Sequence, residues 1–259
     1  MNILVLLKMV PDVVEDIEVA ADGKSLDPDS LRLIPSESDE HALEEALILK
    51  ERHAAKVTAI ALDCEGADDA LFTALAKGAD RAVKIAGGAT GLATRAGAAR
   101  VARALSAGQG LQPMDLVLTG TQAIDDLEGL TAPLLAHRLG WPYLGIVTQV
   151  VVDPASARST VTKEYPGGCH GEFDVPLPAV LGVQAAEKPP RYVPVAKVRA
   201  AMKSLKIETV VPPEEDEPAP LDILQMAKPQ AAGHAEMLDG APEEVAGKLV
   251  EILAGHGLL

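Results

Sequence analysis

The sequence predicts an α/β fold: an open, mostly parallel sheet with helices on both faces, followed by an extended C-terminal arm. Three observations predict it. Short aliphatic runs alternate with amphipathic stretches as far as residue 140, the pattern of strand–helix–strand units joined by right-handed crossovers. The runs are apolar at nearly every position, as in strands covered on both faces. Aromatics make up only 2% of a chain that is 48% hydrophobic, so Ala, Val, Leu and Ile must build the core. At 259 residues there is room for one large domain with an appendage, or for two small domains.

The elements follow in order. Asn2 to Leu7, NILVLL, reads as the first strand, ended by Pro11 and Asp12. Residues 13–33 are acidic and turn-rich, with Gly23 and Pro28, and read as a long loop or hairpin. Ser36 and Ser38 precede a helix from Asp39 to His53 and suit its N-cap. Ala42, Leu43, Ala46, Leu47 and Leu49 form its apolar side, and Glu40, Glu44, Glu45 and Glu51 the other. Val57 to Leu62 is a second strand, and Asp68 to Lys77 a helix that Gly78 closes with a left-handed cap. Ala82 to Ile85 is a third strand. The Gly-rich loop Ala86 to Thr90 lacks the Lys-Ser/Thr of a phosphate loop. A helix over Leu92 to Leu105, a strand at Asp115 to Leu118 and a helix over Leu130 to Leu139 come next, the last stopped by Gly140, Trp141 and Pro142. Tyr143 to Val152 and Ser159 to Tyr165 read as strands joined at Asp153-Pro154, and Val175 to Val183 as another.

The division expected is an α/β nucleotide-binding domain over 1–200 and a linker with a docking arm over 201–259. The basic stretch Lys197 to Lys206 is either a solvated helix face or an interface. Val211 to Pro220, rich in Pro and Glu, is an extended linker. From Pro242 a last helix sets Val245, Leu249, Ile252 and Leu253 on one face, which must dock on its own core or on another chain. No internal repeat is evident.

Composition excludes some classes. The net charge is −15, from 38 acids against 23 bases, and a nucleic-acid partner would demand the opposite sign. With only two cysteines, a disulfide framework is not expected and a reducing cytoplasm is the natural compartment. Met1 to Val10 has no basic lead and reads as a strand rather than a signal peptide. No run approaches the roughly 20 apolar residues of a membrane span, so the chain is not expected to be membrane-embedded.

Open sheets bind ligands beyond the carboxyl ends of their strands, so the loops after Leu7, Leu62, Ile85 and Leu118 are expected to converge on one crevice. The most informative stretch is Asp115 to Asp126, DLVLTGTQAIDD. Thr119-Gly120-Thr121 allow close backbone approach, Gln122 offers donors and an acceptor, and Thr131 opens a helix whose N-terminus favours a phosphate. Asp125 and Asp126 either accept bonds from a ribose or cap a turn. Cys64 is either a small buried hydrophobe or a backbone contact. Cys169, His170 and Glu172 give too few good ligands in one tight loop for a zinc centre, and the other histidines, His234 among them, are scattered. Without a phosphate loop, clustered histidines or an evident nucleophile, no catalytic residue is assigned.

DLVLTGTQAIDD resembles the adenine-nucleotide loop of electron transfer flavoprotein beta subunits. The likeness extends to NILVLLKMVPD, HALEEALILKE, ALAKGADRAVKI, RLGWP, the stretch Val161 to Val183 with Lys163, Gly167-Gly168 and Leu177-Pro178-Ala179-Val180, KPPRY at 188–192, and KLVEILAGHGLL. It spans nearly the whole chain, which is identified as a divergent member of that family. The resemblance implies an adenine-nucleotide alpha-hydrolase-like fold. It implies a heterodimer with a larger alpha subunit carrying most of the FAD site, and a structural AMP in this subunit. Electrons would pass from flavin-dependent dehydrogenases to a quinone reductase or another acceptor, with the flavin carrying the chemistry. A loop before Pro190-Arg191-Tyr192 would recognise the dehydrogenase, and the C-terminal arm would reach onto the alpha subunit. Carried over position by position, the nucleotide contacts fall on Leu6, Ser36, Asp39, Cys64, Gly120, Thr121, Gln122, Ala123, Asp126, Gly129 and Thr131. The chain departs from the pattern at Leu6, where a small residue is usual, at Ser36 for Asn, and at Gly129-Leu130 for Asn-Gln. Val13 and Ser38 stand where many members place aromatics beside the flavin, and Ala185 to Lys188 lacks a Leu-rich anchor. Asp125-Asp126-Leu127-Glu128 replaces the Asp-Gly-Asp-Thr of electron-bifurcating members, so bifurcation is not expected. Two rivals stand beside this reading: a nucleotide-free scaffold of the same fold, and a hydrolase or transferase on a related fold.

Overall fold

A computed structural model describes residues 1–88, 93–214, 222–229, 233 and 235–259. The end of the Gly-rich loop, the expected helix start at Leu92, most of the acidic linker and His234 lie outside the described residues. The chain divides into two compact units, Met1–Met226 and Ala227–Leu259.

In the first unit the elements run β1 (Asn2–Leu6), β2 (Met9–Pro11), β3 (Leu33–Pro35), α1 (Glu37–His53), β4 (Lys56–Leu62), α2 (Ala67–Lys77), β5 (Arg81–Ile85) and α3 (Thr94–Ser106). They continue with β6 (Leu116–Gly120), α4 (Thr131–Leu139), β7 (Tyr143–Asp153), β8 (Arg158–Tyr165), β9 (Cys169–Pro176), β10 (Ala179–Val183), α5 (Val195–Ser204) and β11 (Glu208–Val210). One nine-stranded sheet has the order β11-β5-β4-β1-β6-β10-β7-β8-β9. Strands from β11 to β7 are parallel, and β7, β8 and β9 form an antiparallel limb. β2 and β3 pair as a small ribbon, so the acidic stretch between them is the expected hairpin.

Two apolar layers hold the helices on, and the two-residue period of the strands assigns each side chain to one of them. Ile3, Val5, Val57, Ala59, Leu116, Leu118 and Leu181 meet Leu43, Leu47 and Leu71 of α1 and α2. Leu4, Leu6, Ile60, Val117 and Val180 meet Val101, Leu105 and Leu135 of α3 and α4. Each fully buried Leu or Ile contributes about 1.5–3 kcal/mol, so layers of aliphatics offset the scarcity of aromatics.

Three expectations need correction. Val175 to Val183 is not one strand: β9 ends at Pro176 and β10 begins after Pro178. Two prolines two residues apart lack the N–H that a ladder needs and break the run. Glu44 and Glu45 do not face solvent; they are 4% and 1% exposed. Ser36 is the residue before α1 but makes no side-chain cap. Two features were not foreseen. The three-residue β11 completes the edge beside β5, and α5 packs on α2. The unit carrying the sheet therefore extends to Met226, beyond the boundary read at residue 200.

The second unit holds α6 (Pro242–Gly255). Pro242 opens it and Glu243 and Glu244 lie in its first turn, where a fixed φ and negative charge both favour a start. None of its residues is buried: Leu249, Val250, Ile252 and Leu253 are all exposed. No helix among the described residues is long and apolar enough to cross a membrane.

Candidate functional site

The order of the sheet locates the site. After β1 the chain lays β4 and β5 on one side, then crosses to lay β6 and β10 on the other. Between β1 and β6 the winding reverses, and ligands of open sheets bind beyond the strand ends at such a point. There Leu6 and Lys8, Asp39 of α1, Thr119 to Ala123, Gly129 before α4 and Thr131 at its start enclose one small cavity.

Eight predicted residues meet around it: Leu6, Asp39, Gly120, Thr121, Gln122, Ala123, Gly129 and Thr131. Asp126 stands behind them, 9% exposed, its carboxylate accepting from the Thr131 hydroxyl at 3.4 Å while its backbone pairs with Ala123. Ser36 is buried alongside; its N–H donates to the Lys8 carbonyl at 2.8 Å and its hydroxyl lies 3.3 Å from that of Ser38. Cys64 is elsewhere. It follows β4 and packs on the α1 and α2 layer, and burial pushes its thiol up to about 11. Among the described residues, the cavity is lined by the loops after β1 and β6 and by none from those after β4 and β5, which corrects the expected convergence of four.

Asp39 organises the crevice. One carboxylate oxygen accepts the N–H of Lys8 at 2.8 Å, and the other accepts the N–H of Gly120. The side chain thus ties the ends of β1 and β6 to the first turn of α1. Burial raises its pKa to about 7, although both N–H bonds pull the other way. Both oxygens are committed to backbone, so the group is a strut. Gly120 is required here for a different reason from the one its sequence suggests. A methyl on it would collide with the Ser38 hydroxyl and sit 2.9 Å from the Asp39 nitrogen, so the space left by its missing side chain is filled by α1.

Sequence reasoning missed two contributors, Lys8 and Ile146, and the side-chain bond of a third, Thr119. The Lys8 ammonium lies 2.7 Å from Asp125, across the mouth. The Thr119 side chain lines the cavity and donates to the Gly120 carbonyl at 2.7 Å. Ile146 adopts φ 59, a left-handed conformation unusual for a β-branched residue, and donates its N–H to Thr121 Oγ1 at 3.2 Å. For Lys8 the signal was available as the first charge after an apolar strand. Nothing in the sequence marks Ile146.

The room and the charge decide what this crevice holds as arranged. The cavity measures about 10 Å³, space for roughly one water, whereas small-molecule pockets start near about 300 Å³. Asp39 lines it, and the carboxylates of Asp125 and Asp126 contact the side chains of Lys8 and Thr131, two of its other lining residues. Pro133, in the first turn of α4, has no N–H to offer an anion. These residues do not fit AMP in this arrangement, and still less a dinucleotide. A larger cavity of about 800 Å³ lies away from the strand ends, between α3 and α4, lined by Arg95, Arg103, Ser106, His137 and Arg138. Among the described residues no three His, Cys, Asp or Glu side chains gather as a metal site.

A second polar system runs along α1. Glu44 accepts from the Arg191 backbone at 2.9 Å and from its guanidinium at 2.8 Å, while Glu51 takes the outer nitrogen at 2.7 Å. Burial raises the Glu44 carboxyl, but the Arg191 bonds outweigh it and hold it below the usual carboxylate value. Glu45 accepts the N–H groups of Val150 and Glu187, each at 3.1 Å, and burial raises it to about 7. Arg52 grips Glu187 with two bonds of 2.6 Å. The segment between β10 and α5 is therefore pinned to α1 at several points.

Fold and switch-point crevice together define a doubly wound α/β protein. Within that class, the family described as "Electron transfer flavoprotein domain" matches residues 26–215. Similar proteins include the electron transfer flavoprotein subunit beta of Methylophilus methylotrophus, 29% identical with 98% of each chain covered. The subunit beta of Clostridium acetobutylicum is 31% identical over 98% of each chain, and that of Bacillus subtilis 31% identical over 98% of this chain and 97% of its own. The chain belongs to the electron transfer flavoprotein family, as a beta-type subunit.

Proposed function

We propose that this chain is the smaller half of a heterodimer whose larger alpha subunit holds most of an FAD site. The complex takes electrons from flavin-dependent dehydrogenases and delivers them to a quinone reductase or another acceptor. The observation that carries this reading is likeness to beta subunits over 98% of the chain. Two structural features support it. The crevice is far too small for a flavin dinucleotide, which agrees with a redox group held mainly by another chain. The apolar side of α6 is uncovered, as a partner-binding arm requires. Two free cysteines suit a cytoplasmic location.

The chemistry FAD supplies when bound is transfer of one or two electrons. This chain's share is binding and shape. Val13, 60% exposed beside the β2–β3 ribbon, and Lys163, its ammonium 5.3 Å above the Tyr165 ring, are positioned to meet a partner surface. The pinned segment before Tyr192, itself 84% exposed, offers a rigid recognition edge for a dehydrogenase.

Co-expression with the larger chain tests the proposal. The expected outcome is a yellow two-chain complex that passes electrons from a reduced flavin dehydrogenase to a dye. Charging the arm with Leu249→Glu and Leu253→Glu should weaken assembly by at least about tenfold. A colourless chain that never captures the larger one sinks the reading.

A further inference from the structure

We propose that the crevice between β1 and β6 is a nucleotide-free clasp, closed by the chain's own side chains where an adenylate would otherwise tie the strand ends together. The proposal rests on the beta-subunit reading, because that reading is what makes AMP the expected occupant. Its warrant is the way each feature suited to a nucleotide is already used. The open side of Gly120 is filled by Ser38 and Asp39, and the Ser38 hydroxyl donates to the Gln122 carbonyl. Gly129, at φ +64, lies so close to the Thr121 carbonyl that a methyl on it would come within 2.5 Å of that oxygen, so the loop is folded back onto the end of β6. The N-terminus of α4, where a phosphate would sit, has the Asp126 carboxylate beside Thr131. A phosphate there would face a like charge in a largely dry site. The Lys8 ammonium is drawn to Asp125 at 2.7 Å. Leu6, 4% exposed, is packed into the α3 and α4 layer and forms the inner wall. What remains is a void of about 10 Å³.

In this arrangement Asp39, Ser38 and the Lys8–Asp125 pair do the joining that a bound adenylate would do. They connect β1, the start of α1 and the loop after β6 without any ligand. The stabilisation that a tightly held nucleotide gives a fold by mass action is here built into the chain.

The test separates this claim from the one it rests on. The co-expressed heterodimer is purified, its bound groups are released with acid, and FAD and AMP are counted separately by chromatography. The clasp predicts AMP in fewer than about one complex in ten, and AMP near one per complex overturns it. Missing FAD or a missing second chain would instead overturn the beta-subunit reading, and the AMP count on the chain alone would still decide the clasp. Adding about 1 mM AMP should move the melting temperature by less than about 1 °C, and a rise of several degrees overturns the proposal. The double variant Leu6→Ala with Asp126→Asn should acquire AMP-dependent stabilisation. If it folds and stays blind to AMP, these two residues do not close the site. The wild-type count stands whether or not the variant folds.

Discussion

Helix α1 buries carboxylates at two places, with opposite consequences for a proton. At its first turn Asp39 is enclosed with two backbone N–H groups, and its pKa rises to about 7. Near its middle Glu44 is equally inaccessible to solvent, yet the Arg191 guanidinium holds its pKa below the ordinary value. Both are shut off from solvent, but Asp39 lies deeper in the protein, so depth and the nature of the partner act together. The difference in partner is a full cation in contact, against two dipoles that only partly replace water. One site is a fixed ion pair that anchors the segment before α5. The other is a strut that takes up a proton near neutrality.

Removing one partner from each site sharpens the contrast. Glu44→Ala leaves the Arg191 guanidinium and backbone N–H without their main acceptor, and unfolding in denaturant should show a loss of about 3–5 kcal/mol. A loss under about 1 kcal/mol would mean the ion pair does not hold the segment. Asp39→Ala strands the N–H groups of Lys8 and Gly120, at an expected cost of about 2–4 kcal/mol. Asp39→Asn keeps one acceptor and should lose less, and equal losses would argue that the two-ended strut is absent.

The pH dependence should separate the sites without mutation. Asp39 and Glu45 have folded pKa values of about 7, above their ordinary 3.8 and 4.5. Between those limits the folded chain holds more protons than the unfolded one. Stability contributed by these groups is therefore full at the acid side and declines as pH rises from about 4 to 7, by up to about 1.4 kcal/mol per pH unit for each group. Glu44 works the other way. Its pKa is lowered, so its contribution is present above 4.5 and fades as pH falls through its folded value. Chemical denaturation across this range should show the decline in the wild type and a shallower one in Asp39→Asn. Equal slopes would remove Asp39 from the account. The smallest effect belongs to Lys8→Ala. Its ion pair with Asp125 is partly exposed on both sides, so the loss should stay under about 1 kcal/mol and vanish in high salt.

How much of this was legible follows from how far apart the partners lie. Asn2–Leu6 and Leu116–Gly120 announce themselves as aliphatic runs, because a strand's burial is written in consecutive residues. Thr119 to Ala123 were legible as the ligand-facing end of such a run. Glu44 and Glu45 read as solvent-side acids because the groups that neutralise or bond them, at Arg191, Glu187 and Val150, lie more than 100 residues on. The close contact of Gly120 with Ser38 was equally hidden. The glycine's smallness is visible in the sequence, but what uses the space depends on where α1 begins relative to the sheet. Ile146 gave no warning at all, since its residue type argues against the conformation it adopts.

The apolar side of α6 bears on how cells must produce this chain. Leu249, Val250, Ile252 and Leu253, followed by Leu258 and Leu259, present an oily ridge. Copies synthesised beyond what a companion can mask would be sticky, inviting clumping, chaperone capture or protease trimming at the tail. A partner that covered this ridge would remove that hazard, and the ridge lies wholly within the last eighteen residues of the sequence.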